Sequence, residues 1–182
     1  SLANDASTPL QPEQLLALAM FGFRLFWILE IQEQAYPVGF VKPAWTKYLQ
    51  EASIQHIPLK GRWVAIEVIA KPHWDDKDGY PGDVLGAALG LTTRFRVSWD
   101  TLKNNGGLLS KAATLLNLPT PSVRLCTAEE WNFLANLFNW LARERKEALP
   151  DLGATDSWEW CENSCGSEFR LLVGYRDGGG LR

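Results

Sequence analysis

The chain has 182 residues, a net charge of −3, 46 % hydrophobic residues and 21 % charged residues. That is enough for one domain with an extension, and too little positive charge for a surface that tracks phosphates, so nucleic acid is not an expected partner. Nine tryptophans are the anomaly; Trp buries a large area and has one N–H to satisfy, so they point first to a Trp-rich core and second to a recognition surface.

Residues 1–12 are small and polar, with Pro9 and Pro12, and read as a loose tail without a signal segment. From Glu13 to Gln34 the spacing predicts a helix. Leu15, Leu18, Ala19, Leu25, Phe26 and Leu29 line one face, and Leu16, Phe21, Phe23, Trp27 and Ile28 fill most of the rest. A helix apolar nearly all round must be covered on several sides. Its apolar run is short for a membrane span and contains Gly22 and Arg24. The expected covers are therefore residues 43–55 on one side and a protein partner, or self-association, on the other.

Tyr36-Pro37 and Gly39 break that helix, and Pro43 opens a second one with Trp45, Tyr48, Leu49 and Ala52 on one face. Arg62 to Ala70 reads as a buried strand between Gly61 and Pro72, with Glu67 turned to solvent. Residues 71–83 hold four aspartates among Gly and Pro, which is turn chemistry, and their spacing does not fit an EF-hand calcium loop. Phe95, Val97 and Trp99 alternate with Arg94, Arg96 and Ser98 as a half-buried strand would. Ser98 or Asp100 then starts a short turn that Asn104-Asn105-Gly106-Gly107 ends. Leu108 to Leu118 reads as a helix closed by Pro119. The longest helix is capped by Thr127 and runs to about Leu149, before Pro150; Phe169 to Tyr175 reads as a last strand.

Cys126, Cys161 and Cys165 cannot all pair, and with His56 and His73 far from them in sequence they do not have zinc-site spacing. A Cys161–Cys165 disulfide requires an oxidising compartment; the reading favours reduced thiols in a cytoplasmic protein. The glycines at 178–180 precede no helix, so no phosphate loop is present.

The most informative stretch is Arg124-Leu125-Cys126-Thr127-Ala128-Glu129-Glu130-Trp131. Thr127 and Glu130 have capping-box spacing, and acidic residues in a first turn suit the helix dipole. The octet resembles the R-L-P-T-E-A-E-W signature of the formylglycine-generating-enzyme (FGE-sulfatase) family, a branch of the C-type-lectin-like fold. Val97-Ser98-Trp99-Asp100 is similar to that family's V-S-W-x-D segment. Trp158-Glu159-Trp160-Cys161-Glu162 looks like its V-W-E-W-C-x-D, and Arg170-Leu171-Leu172-Val173-Gly174 is a loose match to R-V-L-R-G-G-S-W. Trp63 to Val68 matches an early strand ending in E-V-T.

The resemblance implies an α+β, C-type-lectin-like module over residues 58–182, preceded by a tail and helical extension over residues 1–57. Such a module has short, twisted, mainly antiparallel strands and two or more packed helices, and here would lack the family's last strands. Family members divide into oxidases and binding modules, the latter including the variable proteins of diversity-generating retroelements. The oxidases hold copper on a cysteine pair after R-G-G-S, and no cysteine follows Cys165 here. The expectation is therefore a non-catalytic ligand- or protein-binding module with no catalytic residues. The alternative is a formylglycine-generating-type oxidase or oxygenase seen without its C-terminal catalytic segment. Some members bind calcium near the W-E-W segment, where Asp156, Glu162 and Asn163 offer oxygens; no other cofactor is implied.

Overall fold

In the computed structural model Gly22 stands at φ +78°, in the left-handed region that suits glycine, and ends what the apolar pattern reads as one long helix. The structure describes residues 2–6, 10–31, 40, 54–70, 82–152, 158–166, 169–174, 176–177 and 180–181. They form a mixed α+β chain that divides into two units, Ser1–Trp27 with Arg62–Arg124, and Ile28–Gly61 with Leu125–Arg182.

The expected helix from Glu13 to Gln34 is replaced by a helix and a strand. Helix α1 (Pro12–Met20) starts with Pro12 in its first turn and a capping box between Gln11 and Gln14. The Phe21 and Gly22 amides close it on the Ala17 and Ala19 carbonyls. Strand β2 (Phe23–Ile28) follows, with Phe23, Phe26 and Ile28 buried. The apolar residues that seemed to wrap one helix thus follow two different periods, and the aromatic run Phe23-Arg24-Leu25-Phe26-Trp27 takes the strand it prefers. The residues expected to cover that helix, 43–55, lie outside the described residues except for Ile54 and Gln55.

Part of the supposed loose tail, Leu2–Ala6, is a strand. Strand β1 (Leu2–Ala6) pairs antiparallel with β3 (Arg62–Glu67), Ala3 opposite Ile66 and Ala6 opposite Trp63. The first unit's sheet has the order β2-β3-β1-β4, with β4 at Val123–Leu125. Backbone pairing with an apolar central strand outweighs the weak strand propensity of residues 2–6. One core joins Leu18 and Phe23 to Ala65, to Leu85 of α2 (Val84–Ala88), and to Ala112, Ala113 and Leu116 around α4 (Leu108–Leu115).

The strand expected over Phe95 to Trp99 is absent. Arg96 sits at φ +62°, which no strand accommodates, and Ser98 caps a short helix, α3 (Trp99–Lys103), by accepting the Thr101 N–H. In the second unit, α5 (Ala128–Glu144) stops short of Leu149 because Lys146 adopts φ +55°. Strands β5 (Glu159–Cys165) and β6 (Phe169–Val173) form an antiparallel pair, Glu159 opposite Val173 and Cys165 opposite Phe169, with a bulge between Trp160 and Ser164. Two short strands, β7 (Arg176–Asp177) and β8 (Gly180–Leu181), also pair antiparallel.

Glu67 does not face solvent. It is 5 % exposed and grips Arg94 through two hydrogen bonds of 2.6 Å. Arg94 also binds Asp83, with its Nε 2.7 Å from Oδ2 and its Nη2 on Oδ1. Asp83 meanwhile accepts the Gly86 N–H at 2.7 Å. One guanidinium fork thus ties residues 83–94 to β3, because a carboxylate buried at the end of β3 needs a cation. Burial works against charge on both partners. At Asp83 the bonds from Arg94 and Gly86 and the charge of Arg94 outweigh it and hold the carboxyl below its ordinary range. At Arg94 the two carboxylates outweigh it, so the guanidinium stays protonated.

Removing the fork is expected to strand Glu67 as a buried, unpaired carboxylate. Arg94→Ala should lower stability by about 3–5 kcal/mol, read as a lower urea midpoint at an unchanged slope. Because the Asp83 carboxyl is held low in the fold, its contribution is present above the unfolded value of about 3.9 and is lost as pH falls through the lower folded value. The wild-type midpoint should therefore decline below about pH 4, and Asp83→Asn should remove part of that decline.

Candidate functional site

Buried polar side chains gather at the start of α5, where Thr127, Glu129 and Glu130 of the octet meet Asn163. The first amides of a helix have no partner inside it, so a buried N-terminus must find acceptors elsewhere. Thr127 Oγ1 accepts the Glu130 N–H at 3.1 Å, and Glu130 Oε2 accepts the Thr127 N–H at 2.9 Å, which is the capping box expected from the spacing. Asn163 on β5 accepts the Ala128 N–H at 2.7 Å through Oδ1. Its neighbour Glu162 accepts the Leu125 N–H at 3.0 Å, and the Glu162 N–H donates to the Cys126 carbonyl at 3.1 Å.

Glu129 is the centre of this cluster and is only 3 % exposed. Its Oε1 accepts the Ile57 N–H at 3.0 Å and lies 2.9 Å from His56 Nδ1; its Oε2 accepts from Asn163 Nδ2 at 2.9 Å. Asn163 Nδ2 also donates to the Gln55 carbonyl at 2.9 Å. The segment around Gln55 runs along β5: Ile54 bridges Cys165 antiparallel, and the Gln55 N–H donates to the Ser164 carbonyl at 2.8 Å. Two N–H donors, the His56 ring and the positive end of α5 surround this buried side chain.

The chemistry of the cluster is chiefly that of a clamp. Thr127, Glu129, Glu130, Glu162 and Asn163 spend the atoms named above on backbone amides and on one another. His56 differs, since its side chain is 56 % exposed while Nδ1 meets Glu129. That contact holds one edge of the ring against the buried carboxyl group. The sequence reading did not assign His56 a role, because nothing local links it to a carboxylate more than seventy residues away.

Of the three proposed calcium residues, Asp156 lies outside the described residues. Glu162 and Asn163 are adjacent on β5, and their oxygens hold the Leu125 and Ala128 amides. Among the described residues no group of three or more His, Cys, Asp or Glu is placed to hold a metal ion. No helix of the described residues is long and apolar enough to cross a membrane. Trp131 is buried at 1 % exposure and Trp160 is half-buried, whereas Trp158, just before β5, is 53 % exposed rather than part of the core.

No disulfide joins Cys126, Cys161 and Cys165. The C-x-x-x-C spacing does not make a pair, because both residues lie on strand β5. Four residues along a strand span roughly 10–13 Å even with a bulge, beyond the reach of about 7 Å between bridged Cα atoms.

No protein-family profile, curated protein or solved structure matches this chain.

Substitutions should rank by how many donors they strand. Thr127→Ala is expected to cost about 1 kcal/mol, a lost cap. Asn163→Ala also leaves Glu129 short of a donor and should cost about 2–4 kcal/mol. Trp131→Ala should cost about 3–5 kcal/mol. Chemical denaturation of the three variants checks the order, and an Asn163→Ala variant no weaker than Thr127→Ala would contradict the clamp.

Proposed function

We propose that the chain is a non-catalytic ligand- or protein-binding module on a C-type-lectin-like scaffold, the class to which retroelement variable proteins belong. The ordered motifs that resemble the FGE-sulfatase family support the scaffold. The observation that carries the binding reading is an aromatic pair on the first unit's sheet. Trp27 of β2 and Trp63 of β3 meet edge to face with ring centroids 5.6 Å apart. Yet they remain 45 % and 48 % exposed, beside Leu25, which is also exposed. Leu15, Leu16 and Met20 of α1 are exposed as well. Tryptophan left at a surface in contact with other apolar groups has the composition of a binding hot spot. The buried carboxylates of the second unit serve its backbone instead, which suits a scaffold whose ligand contacts lie elsewhere. A protein partner covering α1 and β2 replaces the one expected for the longer helix.

Immobilised panels of glycans and peptides test this reading. The protein is expected to retain at least one class of probe. The Trp27→Ala/Trp63→Ala variant is expected to lose it while still unfolding cooperatively. Oxidation of cysteine-containing peptides in the presence of Cu(I) and oxygen, without retention of any probe, would instead identify the formylglycine-type oxidase.

A further inference from the structure

The fold separates the two cysteines that are close in sequence and brings two that are distant onto neighbouring backbone. Cys161 is carried away from Cys165 by strand geometry, and its neighbour Glu162 hydrogen-bonds the Cys126 carbonyl at 3.1 Å. The covalent links on either side of that bond hold the Cys126 and Cys161 Cα atoms within roughly 8 Å of each other. Both side chains are buried, at 2 % and 1 % exposure. Cys126 immediately precedes the cap of α5, and Cys161 sits in the half of β5 opposite Leu172 and Val173. The clamp fixes the two backbones against each other.

We propose that Cys126 and Cys161 form a disulfide when the protein folds in an oxidising thiol buffer, and that Cys165 stays outside it. The oxidant is a small disulfide such as oxidised glutathione. One cysteine thiolate attacks a glutathione sulfur and expels one glutathione thiolate. The second cysteine then attacks the protein-bound sulfur and expels the other. One S–S bond is broken and one formed, two cysteines are oxidised, and two glutathiones leave as thiols carrying the two cysteine protons. Closure belongs to folding, because in the finished structure neither thiol is open to glutathione. Burial, then the nearby Cys126 and carboxylates, push the Cys161 thiol well above its usual range, which further slows exchange in the native protein. The bridge would fasten β5 to the start of α5, beside the bonds from Asn163 and Glu162.

The test is refolding of the reduced, denatured chain in a buffer of reduced and oxidised glutathione. The recovered monomer is then alkylated and mapped by mass spectrometry without reduction. The expected product is lighter by two hydrogens, carries a Cys126–Cys161 cross-linked peptide and has Cys165 alkylated. Its urea midpoint should be higher than that of the reduced monomer and should fall back after dithiothreitol in urea. Cys165→Ser should keep the cross-link, and Cys126→Ala or Cys161→Ala should lose it. If those two alanine variants fail to fold, the parent's peptide map still decides. A native monomer with three alkylated thiols, or with a bridge from Cys165 to either partner, would overturn the proposal.

Discussion

The second unit depends on one requirement, that the buried first turn of α5 must have acceptors for its amides. Thr127 and Glu130 meet part of it locally, and Asn163 meets part of it from β5. Because the local residues are acidic, the solution brings a second requirement. Glu129 places a side-chain carboxyl group in the buried interior, and that group accepts from Ile57 and Asn163 and meets His56. Two parts of the unit that are distant in sequence, the segment around residues 54–57 and the strand β5, are thereby held to the same helix end. The apolar face of α5, with Trp131, Leu134 and Phe138 fully buried, then supplies the burial that makes the polar arrangement worth its desolvation.

The parts of this arrangement that were legible in the sequence are those whose partners are close in sequence. The capping box of Thr127 and Glu130 and the start of α4 at Leu108 follow from local pattern, but α4 ends at Leu115 rather than Leu118, with Asn117 at φ +54° ahead of Pro119. The long partners do not follow from it. Glu67 shares a strand face with Trp63 and reads as a solvated charge, until Arg94 is brought over it from a segment that itself looked like a strand. His56 has no local pattern. The long helix failed for a different reason: apolar residues on every face fit either a fully buried helix or two elements of different period, and only the left-handed backbone of Gly22 decides between them. β1 was missed because its pairing is supplied by β3 rather than by its own residues.

The polar features of the two units have the same design. In each, a buried acidic side chain is held by partners distant in sequence: Arg94 for Glu67 in the first, and Asn163 with residues 56–57 for Glu129 in the second. Such groups specify an arrangement more than they stabilise it, since a well-packed apolar replacement can be equally stable. The surface Trp27–Trp63 pair has no such structural burden. That division, with ionisable groups inside holding the frame and aromatic area outside, is the physical basis for reading the chain as a binding scaffold. Within the octet, Thr127 and Glu130 close the helix end locally, while Glu129 and, from outside the octet, Asn163 tie that end to the rest of the unit.

The central claim is that the α5 cap, β5 and the segment around Ile57 behave as one clamp. Native-state amide hydrogen exchange measures this directly. The amides of Ile57, Leu125, Ala128 and Glu162 are expected to exchange together, at a free energy equal to global unfolding of the second unit, and all four should be lowered in parallel by Asn163→Ala. Exchange of the Ile57 amide by an independent, low-energy opening, while Ala128 stays protected, would contradict the account.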